Sequence, residues 1–362
     1  MAVNHTVFQN VALAISAYAQ ERWTEEQTIT STGLVTGNAD ITDAGEGFIG
    51  QMRWYKPLNA VENVASLTSA TAGSLSTMST DIANYVKNLR TTGIQQVNMQ
   101  SVVSKQDVLT YFAQSFAQNR NQKTHDALMS TLRGVAAKEV TYGAGLTTFD
   151  SVPGPSLGAF IDLNAAGEFG TAAIDAATER GLVSGGVAAA GGDRLFRAMG
   201  MFWKDYEPEY VYMITSPEVL ADLRSKNLVD QDRIRDGNLD LPTLYNGKFR
   251  LILSRTNQGN LAASANVNDR STKTTFLVKP GSLFYRDINP PVPTEIERDA
   301  SAYMGGGTTS IWYRYGFIAH PAGYDWVGAS NTFATNTTLA AAASWERTVD
   351  PLNLGILPIF HA

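Results

Sequence analysis

The spacing of apolar positions changes along the chain from helical steps to strand-like alternation. In residues 1–23, Phe8, Val11, Ile15, Tyr18 and Arg22–Trp23 recur at steps of three and four, which predicts an amphipathic helix. Gly33, Gly37, Gly45, Gly47 and Gly50 then interrupt the pattern, so an extended arm is expected to follow. MRWYKPL reads as a strand. After it, nine of the fifteen residues from Ser66 to Thr80 carry hydroxyls. A segment this poor in apolar bulk pairs weakly and predicts a long β-loop projecting from the body. Residues 94–133 contain neither glycine nor proline. Ser104 and Asp107 have capping-box spacing, Val108, Phe112 and Phe116 step by four, and Leu128, Leu132 and Val135 resume the stripe beside Met129 and Ala136. One helix over about 105–138 is predicted, ~50 Å long at 1.5 Å per residue.

Six glycines and two prolines in residues 143–170 mark a boundary. A helix is expected over Thr171–Arg180, ended by Gly181, and then five glycines fall in the twelve residues 181–192. Asp193 can cap a helix holding Leu195, Phe196, Met199 and Trp203. YVYMI (210–214) is a strand, and Ser216–Pro217 opens a helix that turns Val219, Leu220 and Leu223 inward. FRLILS (249–254) and TTFLVKP (274–280) are further strands. Residues 310–326 alternate, with Ile311, Tyr313, Tyr315 and Phe317 on one face and Trp312, Arg314 and Ile318 on the other. The tail LGILPIF requires burial. The 362 residues exceed the roughly 250–300 at which a single core stops growing, so at least two packing units are expected in this α+β chain.

Charge adds a distinction that periodicity does not show. The net charge is −6, from 28 basic and 34 acidic residues, and it is unevenly spread. Residues 1–50 hold six acidic residues and one basic residue, whereas residues 82–140 hold seven basic and three acidic ones. An acidic arm and a basic helix are thus opposites within one chain, and the overall balance argues against a surface that grips nucleic acid everywhere. The absence of cysteine excludes disulfides, thiolate metal sites and a cysteine nucleophile. Histidines at 5, 125, 320 and 361 are too scattered in sequence to suggest a metal cluster, and no cofactor motif is present. No run of about 20 apolar residues spans a membrane. The first basic residue is Arg22, so the N-terminus lacks the charged start of a signal peptide.

Candidate chemistry is thin. Gly154-Pro155-Ser156-Leu157-Gly158 has the spacing of a nucleophile elbow, but prolines flank Ser156 and no strand precedes it, which weakens a serine hydrolase reading. Asp230, Asp232, Asp236 and Asp240 miss calcium-loop spacing because Ile234 occupies a ligand position, so a solvated turn is expected there. Gly247-Lys248-Phe249 lacks the rest of a phosphate loop. Trp312, Tyr313 and Tyr315 could stack bases, but their strand alternation favours core packing. Lys105, Arg120, Lys123, Arg133 and Lys138 form either a solvated helix face or a surface for an acidic arm or DNA.

The order of these elements resembles that of the major capsid proteins of tailed bacteriophages, a fold shared with encapsulin shells. STLRGVAAKEV (130–140) is similar to the end of the family's spine helix. YVYMITSPEVLADLRSKN (210–227) and LPTLYNGKFRLILSR (241–255) resemble its axial strand, helix and following strand. TTFLVKPGSLFY (274–285) looks like the returning peripheral strand. AAAASWERTVDPLNLGILPIF (340–360) resembles the closing segment of one branch. The resemblance implies an N-terminal arm at 1–45, an extended β-loop at 46–103, a peripheral domain with the spine helix at 104–142 and 266–330, and an axial domain at 143–265 and 331–362. It also implies self-assembly through pentamers and hexamers into an icosahedral shell around double-stranded DNA. A separate scaffolding protein, a portal and weak non-specific DNA contacts would accompany assembly, with a decoration protein as an optional partner. Assembly would take place in the bacterial cytoplasm and the product would be the virion capsid. Phe8, Val11, Ile15 and Trp23 of the arm and Trp54, Tyr55 and Lys56 of the β-loop are the expected interface residues. An encapsulin-like shell holding cargo is the alternative in the same architecture. A hydrolase using Ser156, or an adhesin, are the alternatives outside it.

Overall fold

The computed structural model describes residues 32–41, 47–55, 80–97, 108–143, 158–162, 193–203, 208–225, 228–236, 239–254, 273–288, 290–291, 294–349 and 351–361. In chain order the first strands are β1 (Val35–Thr36), β2 (Ile49–Tyr55) and β3 (Thr80–Val97), followed by helix α1 (Val108–Thr141) and β4 (Ile161–Asp162). Helix α2 (Asp193–Phe202), β5 (Val211–Thr215), helix α3 (Pro217–Ser225), β6 (Val229–Asp236), β7 (Leu239–Leu244) and β8 (Phe249–Leu253) come next. The chain closes with β9 (Lys273–Val278), β10 (Leu283–Ile288), β11 (Thr294–Asp299), β12 (Thr308–Pro321), β13 (Tyr324–Trp326), the short helix α4 (Asn336–Leu339), β14 (Trp345–Arg347) and β15 (Ile356–His361).

Two large sheets result. A six-stranded sheet runs β1-β10-β12-β3-β2, with β11 also paired to β12. Its centre is β12, which pairs with β3 along Thr308–Ile318 on one edge and with β11 and then β10 on the other. Alternation sorts its side chains as the sequence predicts. Tyr315 and Phe317 join the main core, while Ile318 joins a smaller cluster with Ile41, Met52, Ala83 and Tyr85 on the opposite face. The seven-stranded sheet runs β4-β15-β9-β5-β8-β7-β6. Its central strand β5 is fully buried and parallel to β8, and β15 is buried along its whole length, as its apolar sequence requires.

Helix α1 has 34 residues and ends three residues beyond the predicted boundary. Its C-terminal half is enclosed rather than striped: Ala127, Leu128, Met129, Leu132, Val135 and Ala136 are all buried. The buried hydroxyls of Ser130 and Thr131 donate back to the carbonyls of Asp126 and Ala127, at 2.7 and 3.1 Å, so neither is left unsatisfied.

Two expectations change. Separate packing units were expected, but among the described residues one continuous cluster of buried side chains joins α1 to strands of both sheets, and a small cluster around Ile41 stands apart. Residues 274–280 read as a strand, and 274–285 resemble the returning peripheral strand of the capsid fold. Instead β9 pairs with β5 and β15 in the seven-stranded sheet, and only β10 joins the six-stranded one. Thr274–Val278 are buried on both faces, which suits an interior strand, and the turn at Lys279–Ser282 then redirects the chain.

Candidate functional site

The residues expected to carry function fall into three groups. Phe8, Val11, Ile15, Trp23, Lys56, Lys105 and Ser156 lie outside the described residues, as do the Ser/Thr-rich segment 66–79 and the helix expected over 171–180. Trp54 lies on β2, half-buried against the small cluster, and Tyr55 ends that strand. Arg120, Lys123, Arg133 and Lys138 lie on α1.

These basic residues differ in what they do. Arg120 turns toward the sheet: its guanidinium donates to Asp287 on β10 at 2.8 Å and to the Tyr313 hydroxyl on β12 at 3.4 Å. Tyr285 donates to the same Asp287 oxygen at 2.7 Å. Lys138 lies 5.2 Å from the Tyr142 ring centre. Arg133 is half-buried, and burial pushes its guanidinium below the ordinary arginine value. Lys123 is the most exposed of the four, with only a 3.9 Å contact to Asp126. The aromatic run divides as strand geometry dictates. Tyr315 is buried, while Trp312 remains 42% exposed on the opposite face.

The most densely constrained site is the C-terminal end of α1. Gly134 faces the closing segment, and a Cβ built there would overlap the Leu339 carbonyl oxygen and the Trp345 indole. The indole nitrogen of buried Trp345 donates to that same carbonyl at 2.7 Å. The two motifs that stood out in sequence, Arg133-Gly134-Val135 and the alanine-rich approach to Trp345, are therefore two halves of one contact.

One turn further along, Glu139 is fully buried. Its carboxylate accepts from the Ala159 backbone N–H at 2.7 Å, the Tyr324 hydroxyl at 2.9 Å and the Arg347 guanidinium at 2.8 Å. Burial pushes the Glu139 carboxyl above its ordinary value, against the pull of the Ala159 amide, Arg347 and Tyr324. Arg347 is itself held, with its guanidinium 4.3 Å over the Tyr142 ring and its backbone N–H donating to the Tyr142 hydroxyl at 3.2 Å.

His320, on β12 opposite Phe284 of β10, is also fully buried, with its ring centre 6.0 Å from that of Trp345. Burial lowers its pKa from 6.5 to about 4. Stability from such a group is present above pH 6.5 and is lost as the pH falls toward 4. About 2 kcal/mol should disappear between pH 8 and pH 5. In urea titrations at those two values, His320→Leu should remove most of this difference; an unchanged pH difference in the variant would place the acid sensitivity elsewhere.

A further surface feature was not anticipated. The β11–β12 hairpin ends in a tip that presents Tyr303, 66% exposed, and a fully exposed Met304. Both have positive φ, 54° and 56°, a conformation that costs non-glycine residues on the order of 1 kcal/mol each. The tip is held by Gly306 N–H donating to Tyr303 O at 3.1 Å and Gly307 N–H donating to Ala302 O at 3.0 Å. At its base Asp299 accepts from the Ser301 N–H and hydroxyl at 2.9 and 2.7 Å, which hold its carboxyl below the ordinary value. The signal lay in the Asp299-x-Ser301 spacing and the glycine run 305–307.

Among the described residues, no group of three or more His, Cys, Asp or Glu side chains is placed to hold a metal ion. Asp230 and Asp236 lie on β6 and tie it to neighbouring parts of the seven-stranded sheet. Asp230 accepts from Thr243 and the Gly247 N–H, and Asp236 from Tyr212 and Arg250.

No family model matches the chain. Over 90 residues it is 32% identical to the major capsid protein of Bacillus phage SPP1; the match covers 24% of this chain and spans 26% of that relative's length. Among solved structures, the capsid asymmetric unit of cyanophage Pam1 is similar at a TM-score of 0.51 and 14% identity, covering 92% of this chain and 90% of that one. The capsid of Ralstonia phage GP4 is similar at a TM-score of 0.52 and 8% identity, covering 92% and 88%. With its long helix, its two sheets and its closing segment on the helix end, the chain has the fold of phage capsid subunits.

Proposed function

We propose that this chain is the major capsid protein of a tailed bacteriophage, assembling through pentamers and hexamers into an icosahedral shell around double-stranded DNA. The observation that carries the reading is similarity to phage capsid subunits over about nine-tenths of both chains. On this reading the six-stranded sheet with α1 is the peripheral part of the subunit, and the seven-stranded sheet with α2 and α3 is the axial part. The N-terminal arm (1–45) and the extended β-loop (46–103) reach across to neighbours, with Phe8, Val11, Ile15 and Trp23 of the arm and Trp54, Tyr55 and Lys56 of the loop at the contacts. A separate scaffolding protein and a portal take part in assembly inside the host cytoplasm. DNA contacts are weak and non-specific, and Lys123, the most exposed of the four basic residues described on α1, is available to make them.

Two observations give the arm a defined root. Leu34 is buried in the main core and Ile41 in the small cluster, so residues 34–41 wrap from one face of the six-stranded sheet to the other. The Ile41 carbonyl accepts from Arg286 at 2.6 Å.

The hairpin tip supplies a test. Tyr303→Ser with Met304→Ser changes side chains that are exposed in the single chain, so unfolding stability should stay within about 0.5 kcal/mol of the parent. Sedimentation velocity of material produced with a scaffold should show the particle fraction falling at least several-fold. Full particle yield from the double variant would show that the tip makes no contact between subunits.

A further inference from the structure

We infer that Glu139 is a positioning residue that fixes the pose of the two sheets relative to each other, and with it the curvature of the shell. The inference rests on the capsid reading for its consequence, although not for its geometry. Four chain segments meet on one carboxylate. Glu139 itself belongs to α1, and Tyr324 and Arg347 come from the paired strands β13 and β14. These elements pack beside the six-stranded sheet, where the Asp325 carboxylate of β13 accepts from the Asn84 N–H of β3 at 2.5 Å. The third donor, the Ala159 N–H, stands two residues ahead of β4, the edge strand of the seven-stranded sheet. Phe160, between them, packs edge-on against Phe360 of β15, with ring centres 5.5 Å apart. Beside it Gly158 lies so close that a Cβ there would overlap the Glu139 carbonyl oxygen.

Stability alone does not account for this arrangement. A buried ion pair loses most of its attraction to desolvation, and packed apolar side chains of similar volume often serve as well or better. The pair differs from an apolar contact in direction. Apolar burial is non-directional and so does not by itself single out one alignment. A fully buried carboxylate with three donors has one arrangement in which every group is satisfied, and a displaced pose leaves a buried donor or charge unpaired. The junction therefore selects one relative pose out of several that the surrounding apolar core would tolerate. In a closed shell, a small error in that pose repeats at every subunit and alters curvature.

Glu139→Gln in the full chain tests this. The glutamine keeps the length and one carbonyl acceptor but cannot satisfy Arg347, Tyr324 and the Ala159 amide together. The parent has no cysteine, so Lys123→Cys on α1 and Ala221→Cys on α3 give a clean pair of sites for spin labels. Double electron–electron resonance should show one narrow distance in the labelled parent and a distribution at least twice as broad with Glu139→Gln. Leu244→Ala serves as the control: it is a buried core residue on β7, on the far side of the seven-stranded sheet from β4, so it lowers stability away from the junction and should leave the distribution narrow. In assembled material, particle diameters should scatter with Glu139→Gln but not with Leu244→Ala. If Glu139→Gln does not fold, Tyr324→Phe, which removes a single donor, should broaden the distribution to a smaller extent. A distribution as narrow as the parent's in the folded variant would overturn the inference. If the parent itself forms no particles, the capsid reading fails while the distance comparison still decides the role of Glu139.

Discussion

Replacing Arg347 by methionine is expected to cost the fold about 3–5 kcal/mol at neutral pH, among the largest effects of any single substitution in this chain. The methionine fills a similar volume but leaves the Glu139 carboxylate buried with only the Ala159 amide and the Tyr324 hydroxyl. The pH dependence identifies the cause. Burial already holds the Glu139 carboxyl above its ordinary value, and loss of Arg347 raises it further. A carboxyl raised in the folded state contributes stability below its unfolded pKa and loses that contribution as the pH rises through the folded one. The deficit of Arg347→Met relative to the parent should therefore be greatest at pH 7–8 and shrink toward pH 5. Comparison with the parent at each pH cancels the contribution of His320. Glu139→Leu combined with Arg347→Met should recover a large part of the loss, because no buried charge remains. Denaturant titrations of the parent, both single variants and the double variant measure all of this. A loss below about 1 kcal/mol for Arg347→Met, or one independent of pH, would mean that Arg347 does not hold Glu139.

Gly134→Ala is expected to destabilise the protein by about 3 kcal/mol, the reverse of the usual sign. In an open helix, alanine for glycine gains roughly 1 kcal/mol. At position 134 the added methyl would overlap the Leu339 carbonyl and the Trp345 indole, which are already joined by a 2.7 Å hydrogen bond. Backbone cannot yield as the end of a side chain can, so the closing segment must lift from the helix. The loss then combines overpacking with a weakened buried hydrogen bond. Thermal unfolding followed by circular dichroism would read the change. A rise in midpoint would show that the closing segment does not pack tightly on the helix.

Both substitutions act at the end of α1, and the two differ in how far the sequence exposed them. Gly134 and Trp345 were visible because each sits in a motif, although nothing local showed that they touch. Glu139 was not visible. The predicted helix ended at about residue 138, and nothing in the sequence singled Glu139 out, whereas the helix runs on to Thr141. Its partners at 159, 324 and 347 are brought together only by tertiary structure. Strands with a single environment per face were legible: β5, β8, β12 and β15 follow their apolar patterns closely. The sheet to which β9 belongs was not, because an apolar run suits the centre of either sheet equally well. The exposed Tyr303–Met304 pair was also missed. Apolar residues near glycines read as part of a turn, and their exposure follows from backbone geometry that periodicity does not encode.

Electron cryo-microscopy of the protein, produced with and without a scaffolding protein from its source, decides whether this chain builds a closed shell. Closed particles of pentamers and hexamers are expected, with the long helix and both sheets recognisable in every subunit. A uniform population of monomers or small open oligomers under every salt and scaffold condition would contradict it.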